Sequence, residues 1–139
     1  MDEALIKRIP PHSIEAEKSV IGAMLMNKEA VLAAIEILTK EDFYQSQYGI
    51  IFESMKELND EEKPVDAITL QEKLREKDLP PEVSGLDFVK DLVTSVPTSA
   101  NVRHYAEIVK NKSTLRKLIR TADEIVGKCY EQKEETPDI

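Results

Sequence analysis

The feature that most constrains this chain is a long proline-free segment near its C-terminal end. Between Ser99 and Tyr130 no proline interrupts the sequence, and apolar residues recur at spacings of three and four, which is typical of an α-helix. A helix of about 30 residues, rising 1.5 Å per residue, is roughly 45 Å long. Short helices packed beside it cannot cover that length. We therefore predict that part of this helix projects from the rest of the domain.

The apolar stripe of the predicted long helix falls into two pieces. The first comprises Val102, Tyr105, Ala106 and Val109, and a polar stretch over 110–114 follows it. The second comprises Leu115, Leu118, Ile119, Ala122, Ile125, Val126 and Cys129. We expect the first piece to pack on the preceding helices. The second would be exposed on a projecting helix, and such a patch usually marks an interface: with an antiparallel helix of a longer chain, with a second copy, or with another protein.

The sequence before this segment predicts several short helices with recognisable capping residues. The candidate caps are Ser13, Asn27, Thr39 with Asp42, Thr69 with Glu72, and Ser84. Pro80 with Pro81, and Pro97, are expected to end helices. With only four glycines and no tryptophan, the chain is predicted to be all-α: a small orthogonal bundle of about five to six helices. The predicted divisions are a helical head over 1–98, the projecting helix over 99–131 and a flexible tail over 132–139.

The charge of the chain argues against a default role in nucleic-acid binding. Nineteen basic and 27 acidic side chains give a formal net charge of −8, which repels a phosphate backbone. The exception is a basic cluster with no acidic residue from Ile108 to Ala122. It comprises Lys110, Lys112, Arg116, Lys117 and Arg120. It could contact a nucleic acid or an acidic partner. The solvated face of a projecting helix is the more ordinary interpretation, because no aromatic side chains interleave with the charges.

Each candidate motif for catalysis, cofactor binding or metal binding lacks residues that the function requires. The segment Gly127 to Cys129 resembles a phosphate loop, but Ala122 occupies the position of the required earlier glycine and Cys129 that of the Ser or Thr. His12 and His104 are too few for a metal cluster. We expect no catalytic, cofactor or metal site in this chain. We also expect a cytoplasmic protein without a membrane span, because no apolar run is long enough for a signal peptide or a transmembrane helix.

Five segments, in order, resemble a known family. They are IPPHSIEAEKSVIGAMLMN over 9–27, EDFY over 41–44, IIFESM over 50–55, PVDAITL over 64–70 and VPTSANVRHYAEIV over 96–109. Together they resemble the N-terminal domain of DnaB-type replicative DNA helicases, and the similarity extends from about Ile9 to Tyr130. The resemblance covers nearly the whole chain, so it is far more specific than an isolated motif.

The resemblance implies a non-catalytic domain within a larger enzyme. In this family a helical head is followed by a helical hairpin, whose first arm would be the long helix here, and the domains form the collar of a hexamer that binds primase. The ATP-dependent 5′–3′ helicase activity, with its ATP and Mg²⁺, belongs to a separate C-terminal domain. The implied partners are other subunits, primase and a helicase loader, with DNA contacted weakly if at all.

Resemblance and position together indicate candidate contacts with subunits or primase. These are Leu115, Leu118, Ile119, Ala122, Ile125 and Val126 on the long helix, with Phe88 on the preceding one. Two alternatives remain at this point. One is the helicase-binding domain of a primase, which has a similar helical design. The other is a single-stranded nucleic-acid-binding module that uses the basic cluster.

Overall fold

The computed structural model describes residues 8–79, 86–94 and 101–139, and the regular elements in these ranges are all helical. The α-helices are α1 (Ile14–Met26), α2 (Lys28–Ile37), α3 (Ser46–Asp60), α4 (Ala67–Glu76), α5 (Leu86–Thr94) and α6 (Val102–Glu131). Short 3₁₀ turns span Lys40–Asp42 and Thr136–Asp138. The predicted all-α fold, with a long C-terminal helix, is confirmed.

The starts of α1 and α2 follow the predicted capping chemistry. The Ser13 hydroxyl oxygen accepts a hydrogen bond from the Ala16 N–H at 3.2 Å, and the Asn27 side-chain oxygen accepts one from the Ala30 N–H at 2.8 Å. Asn27 alone separates the two helices. So short a connection makes α1 and α2 neighbours in space, and they pack against each other.

The start of α4 differs from the prediction. Asp66, not Thr69, is the N-cap, and its carboxylate accepts hydrogen bonds from the N–H groups of Ile68 and Thr69, both at 2.9 Å. Thr69 lies at the third helical position, where its hydroxyl oxygen accepts from the Asp66 N–H at 3.0 Å. A carboxylate at the N-cap gains from the helix dipole as well as from the hydrogen bonds. The predicted signals at Ser84, Pro80, Pro81 and Pro97 lie outside the described residues.

The core of the head is built on α1 and α3. Ile21, Met24, Ile51, Phe52 and Met55 are completely buried there. Around them pack Ala30, Val31 and Ala34 of α2, Leu70 and Leu74 of α4, Leu92 of α5 and Val102, Ala106 and Val109 of α6. The first apolar piece of the long helix therefore belongs to the core, as predicted.

Gly49 on α3 brings the Lys40–Asp42 turn close to the helix. A Cβ added to this glycine would lie 2.7 Å from the Lys40 carbonyl oxygen, too close for any larger residue without a backbone shift. The close approach holds the turn against α3. This turn is the part of the head on which the middle of α6 lies.

The long helix α6 has 30 residues, and its last buried residue is Ser113. From Lys117 onward every residue is exposed. The helix ends at Glu131, after which Gln132 adopts a left-handed conformation with φ of 56°. Gly127 lies inside the helix, and Lys128 lies in its last turn. Among the described helices none is long and apolar enough to cross a membrane.

Candidate interaction surface on the long helix

Asp42 fixes the middle of α6 to the head, beyond the part of the helix that packs in the core. Its side chain is completely buried, and its carboxylate accepts hydrogen bonds from the Thr39 N–H at 2.8 Å and the Ser113 hydroxyl at 2.7 Å. The ammonium group of Lys110 lies 3.2 Å from one carboxylate oxygen, and that of Lys117 lies 3.5 Å from the other. The carboxylate therefore joins the 3₁₀ turn to two successive turns of α6.

Arg116 adds a second connection between α6 and the head. Its guanidinium group donates to the carbonyl oxygens of Pro11 and Asp42, each at 2.7 Å, and its central carbon lies 5.6 Å from the centroid of the Tyr44 ring. Charge-assisted hydrogen bonds of this kind are stronger than neutral ones. The side chain thus links the entry to α1, the 3₁₀ turn and α6.

Glu17 holds the other side of the same loop. Its side chain on α1 is completely buried, and its carboxylate oxygens accept from the N–H groups of Tyr44 at 2.9 Å and Gln45 at 3.2 Å. These two backbone groups precede α3 and have no helical partner. The segment from Thr39 to Gln45 is therefore held by Glu17 from α1 and by cations from α6.

The pKa values of the two buried carboxyls are shifted in opposite directions. Burial raises the pKa of Glu17 above its usual value of 4.5, although the hydrogen bonds from Tyr44 and Gln45 oppose that change. Burial would also raise the pKa of Asp42, but the hydrogen bonds from Thr39 and Ser113 and the charge of Lys110 outweigh it and hold the pKa below 3.8. Asp42 is consequently ionised in the folded domain at neutral pH.

The lowered pKa of Asp42 predicts a pH-dependent contribution to stability. Because the folded pKa lies below the unfolded one, the contribution is fully present above pH 3.8 and is lost as the pH falls through the folded pKa. We expect the difference in unfolding free energy between the wild type and Asp42→Asn to shrink below that pH. Urea denaturation from about pH 7 to about pH 3 measures it. A difference that stays constant over this range would contradict the assignment.

The structure divides the basic cluster predicted from the sequence. Lys110, Arg116 and Lys117 contact the Asp42 side chain or backbone, so the cluster is not simply a solvated face. The side chains of Lys112 and Arg120 make no hydrogen bond or ion pair with another residue in the described ranges. Three of the five cations therefore have a structural role, which weakens the case for a nucleic-acid interface. Sequence analysis did not identify Asp42 as the residue that these cations contact.

The second apolar piece of α6 forms the candidate interaction surface. Leu118 is 61% exposed, Ile119 48%, Ile125 44% and Val126 51%, and Ala122 and Leu115 are exposed beside them. We call these six residues the α6 stripe. At about 100° per residue, Leu118 lies on nearly the opposite side of the helix from the buried Val109. Most of the stripe therefore faces away from the head, and Ile119 lies at its edge, beside Phe43 and Tyr44. Phe88, the seventh candidate, packs against the core of the head instead.

The described residues lack a cluster of side chains that could bind a metal ion. Within the described residues no group of three or more His, Cys, Asp or Glu side chains lies close enough together to bind one. His12 stacks on Tyr44 with 4.1 Å between the ring centroids, and His104 is exposed on α6. Each histidine therefore lies apart from any such group.

Comparison with known protein sequences gives consistent matches. The family model described as DnaB-like helicase N terminal domain matches residues 9–111. The chain is 41% identical to the replicative DNA helicase DnaC of Bacillus subtilis over 139 residues, and 42% identical to the replicative DNA helicase DnaB of Geobacillus stearothermophilus over 135 residues. The aligned region includes 100% of this chain in the first case and 97% in the second. It includes only 31% and 30% of the two relatives. The chain thus spans about a third of their length.

Solved structures show the same fold. The N-terminal domain of DnaB helicase from Mycobacterium tuberculosis superposes with a TM-score of 0.87 and 32% identity, covering 91% of each chain. That of Helicobacter pylori, described together with its interactions with primase, gives a TM-score of 0.72 at 24% identity, covering 84% of this chain and 90% of that one. These matches favour the helicase over the alternative of a primase domain. The chain therefore belongs to the family of DnaB-like helicase N-terminal domains.

Proposed function

We propose that this domain is a non-catalytic interaction module of a replicative DNA helicase. Its copies associate in the collar of a hexamer, and the collar binds primase. The observation that carries the proposal is the exposed α6 stripe. The identity of the relatives as replicative helicases supports it, as does the description of the Helicobacter pylori domain with primase. ATP, Mg²⁺ and DNA unwinding are assigned to the remainder of the parent protein, and a helicase loader is a further proposed partner.

The energetics of the α6 stripe support a role in association. Burying one large aliphatic side chain contributes about 1.5–3 kcal/mol. Because most of the stripe faces away from the head, the described residues leave Leu118 and Ile125 exposed. Asp42 and Arg116 fix the base of the helix, so the stripe is presented in a defined direction. A preorganised surface loses less conformational entropy on binding.

Charged substitutions in the α6 stripe test this proposal. We expect the double variant Leu118→Asp with Ile125→Asp to weaken both self-association and primase binding by at least about tenfold, because each change places a carboxylate in an apolar interface. Both residues are exposed, so the fold is expected to survive. Light scattering of the domain alone, and mixed with the C-terminal domain of primase from the same organism, measures both effects.

Thr121→Asp is the matched control. It adds one carboxylate, where the double variant adds two, at an exposed position of α6 outside the stripe, so it is expected to leave both associations unchanged. If the double variant associated with itself and with primase as the wild type does, the interface would lie elsewhere. Circular dichroism, showing an unchanged helical signal, separates loss of binding from loss of folding.

A further inference from the structure

We propose that a groove at the base of α6 is a docking site for an acidic peptide segment of another protein, one that carries an apolar anchor residue. The groove encloses about 370 Å³ between the entry to α1, the 41–44 loop and α6. We call it the base groove. Its volume is within the range of sites that hold a few side chains of a ligand.

The walls of the base groove are apolar and accessible. Ile9 is 70% exposed, Ile119 48% and Tyr44 38%, and all three line the groove. The buried Phe43 also lines it and packs against Phe52 at 5.2 Å between ring centroids. Accessible apolar surface gathered in one concavity, instead of scattered singly, is characteristic of a binding site.

The charge around the base groove specifies the kind of occupant. Among the described residues that line it, Arg8, Arg116 and Arg120 are basic and only Glu41 is acidic, although the chain as a whole carries a net charge of −8. The side chains of Arg8 and Arg120 make no hydrogen bond or ion pair with any residue of the described segments. Guanidinium groups bind carboxylates through paired hydrogen bonds. An apolar groove bordered by two unpaired arginines is therefore complementary to a segment that combines carboxylates with an apolar side chain.

The side chains that form the walls favour a peptide over a single-stranded nucleic acid. Bases bind single-strand sites mainly by stacking on aromatic faces, but Ile9, Pro10 and Ile119 offer aliphatic surfaces. The Tyr44 ring already stacks on His12, with an interplanar angle of 12°. Two hydrogen bonds to carbonyl oxygens hold Arg116 in place, so this wall is ordered before a ligand arrives.

The base groove overlaps the surface proposed for subunit and primase contacts at one residue. Ile119 lies in both, but Arg8 and Arg120 belong to the groove alone, and Leu118 and Ile125 belong to the α6 stripe alone. Substitutions of these two pairs therefore test the two proposals separately.

A fluorescein-labelled peptide with the pattern Glu-Glu-Leu-Phe-Glu-Glu is the probe. We expect saturable binding in fluorescence anisotropy, with chemical-shift changes at Tyr44 and Ile119 in NMR spectra. The double variant Arg8→Glu with Arg120→Glu is expected to lose about tenfold or more in affinity, since it replaces attraction by repulsion. The single variant Lys112→Glu changes a charge on the same helix outside the groove, and is expected to bind as the wild type does.

Four results would overturn the proposal. The first is failure of the peptide to bind. The second is equal loss of binding in the single variants Arg120→Glu and Lys112→Glu, which would show general attraction to a basic helix. The third is retention of binding when Ser replaces the Leu and Phe of the peptide, which would show that no apolar anchor is used. The fourth is tighter binding of oligothymidine than of the peptide at the same groove residues.

Discussion

Replacement of Asp42 by alanine is expected to lower the free energy of unfolding by about 3 kcal/mol. The change removes the acceptor for the Thr39 N–H and for the buried Ser113 hydroxyl, and it leaves both donors without a charged partner. Lys110 and Lys117 are 42% and 50% exposed, so they can turn into water. Because the two ammonium groups can be hydrated, the expected loss of unfolding free energy is smaller than that for breaking a fully buried ion pair.

Urea denaturation of Asp42→Ala checks this expectation, and Glu36→Ala provides its control. Glu36 of α2 pairs with Arg103 of α6 at 2.8 Å, but both side chains are more than 60% exposed. Solvent screening limits such a pair to less than about 1 kcal/mol. Equal losses in Asp42→Ala and Glu36→Ala would show that the buried carboxylate does not hold α6 to the head.

The helices themselves were largely accessible to sequence reasoning, because their signals are local. The caps at Ser13 and Asn27 act on N–H groups three residues away. The long apolar periodicity of α6 likewise sets its extent without reference to the rest of the chain. The error at Thr69 was also local. Asp66 and Thr69 are both possible N-caps of α4, and the N-cap is the charged residue, Asp66.

The buried acids were not accessible in this way, because their partners are distant in sequence. Asp42 was correctly identified as part of a capped turn with Thr39, but its carboxylate has lone pairs left over for Ser113, which is 71 positions away. Glu17 lies in the first turn of α1, where an acid ordinarily interacts with the helix dipole. Its spacing of three, four and seven to Val20, Ile21 and Met24 does place it on the buried face of α1. That pattern was the available signal.

The same contrast explains the two interpretations of the basic cluster. Five cations without an intervening acid indicate a surface that binds an anion. The sequence alone does not show whether that anion belongs to the same domain. Asp42 supplies it for Lys110 and Lys117. Lys112 and Arg120 have no such partner in the described ranges. For part of the cluster the anion therefore lies within the domain, and an external acidic partner for the cluster remains a prediction.

Replacement of Glu17 by alanine is expected to cost about 3 kcal/mol, with a different local signature. It leaves the N–H groups of Tyr44 and Gln45 without acceptors, each at about 1–3 kcal/mol if it stays dry, and it opens a small cavity in the core. Urea denaturation measures the loss, and amide exchange of these two residues localises it. Glu15→Ala, which removes a neighbouring exposed acid of α1, is expected to leave both measurements nearly unchanged.

The pH dependence of the Glu17→Ala loss separates the role of this carboxyl from that of Asp42. Because the folded pKa of Glu17 is raised, its contribution is greatest below pH 4.5 and declines as the pH rises through the folded pKa. The loss on substitution is therefore expected to shrink with rising pH. For Asp42 the loss grows with rising pH, because its folded pKa is lowered. Slopes of the same sign in the two variants would refute the assignment of a raised pKa to burial for Glu17 and of a lowered pKa to hydrogen bonds and Lys110 for Asp42.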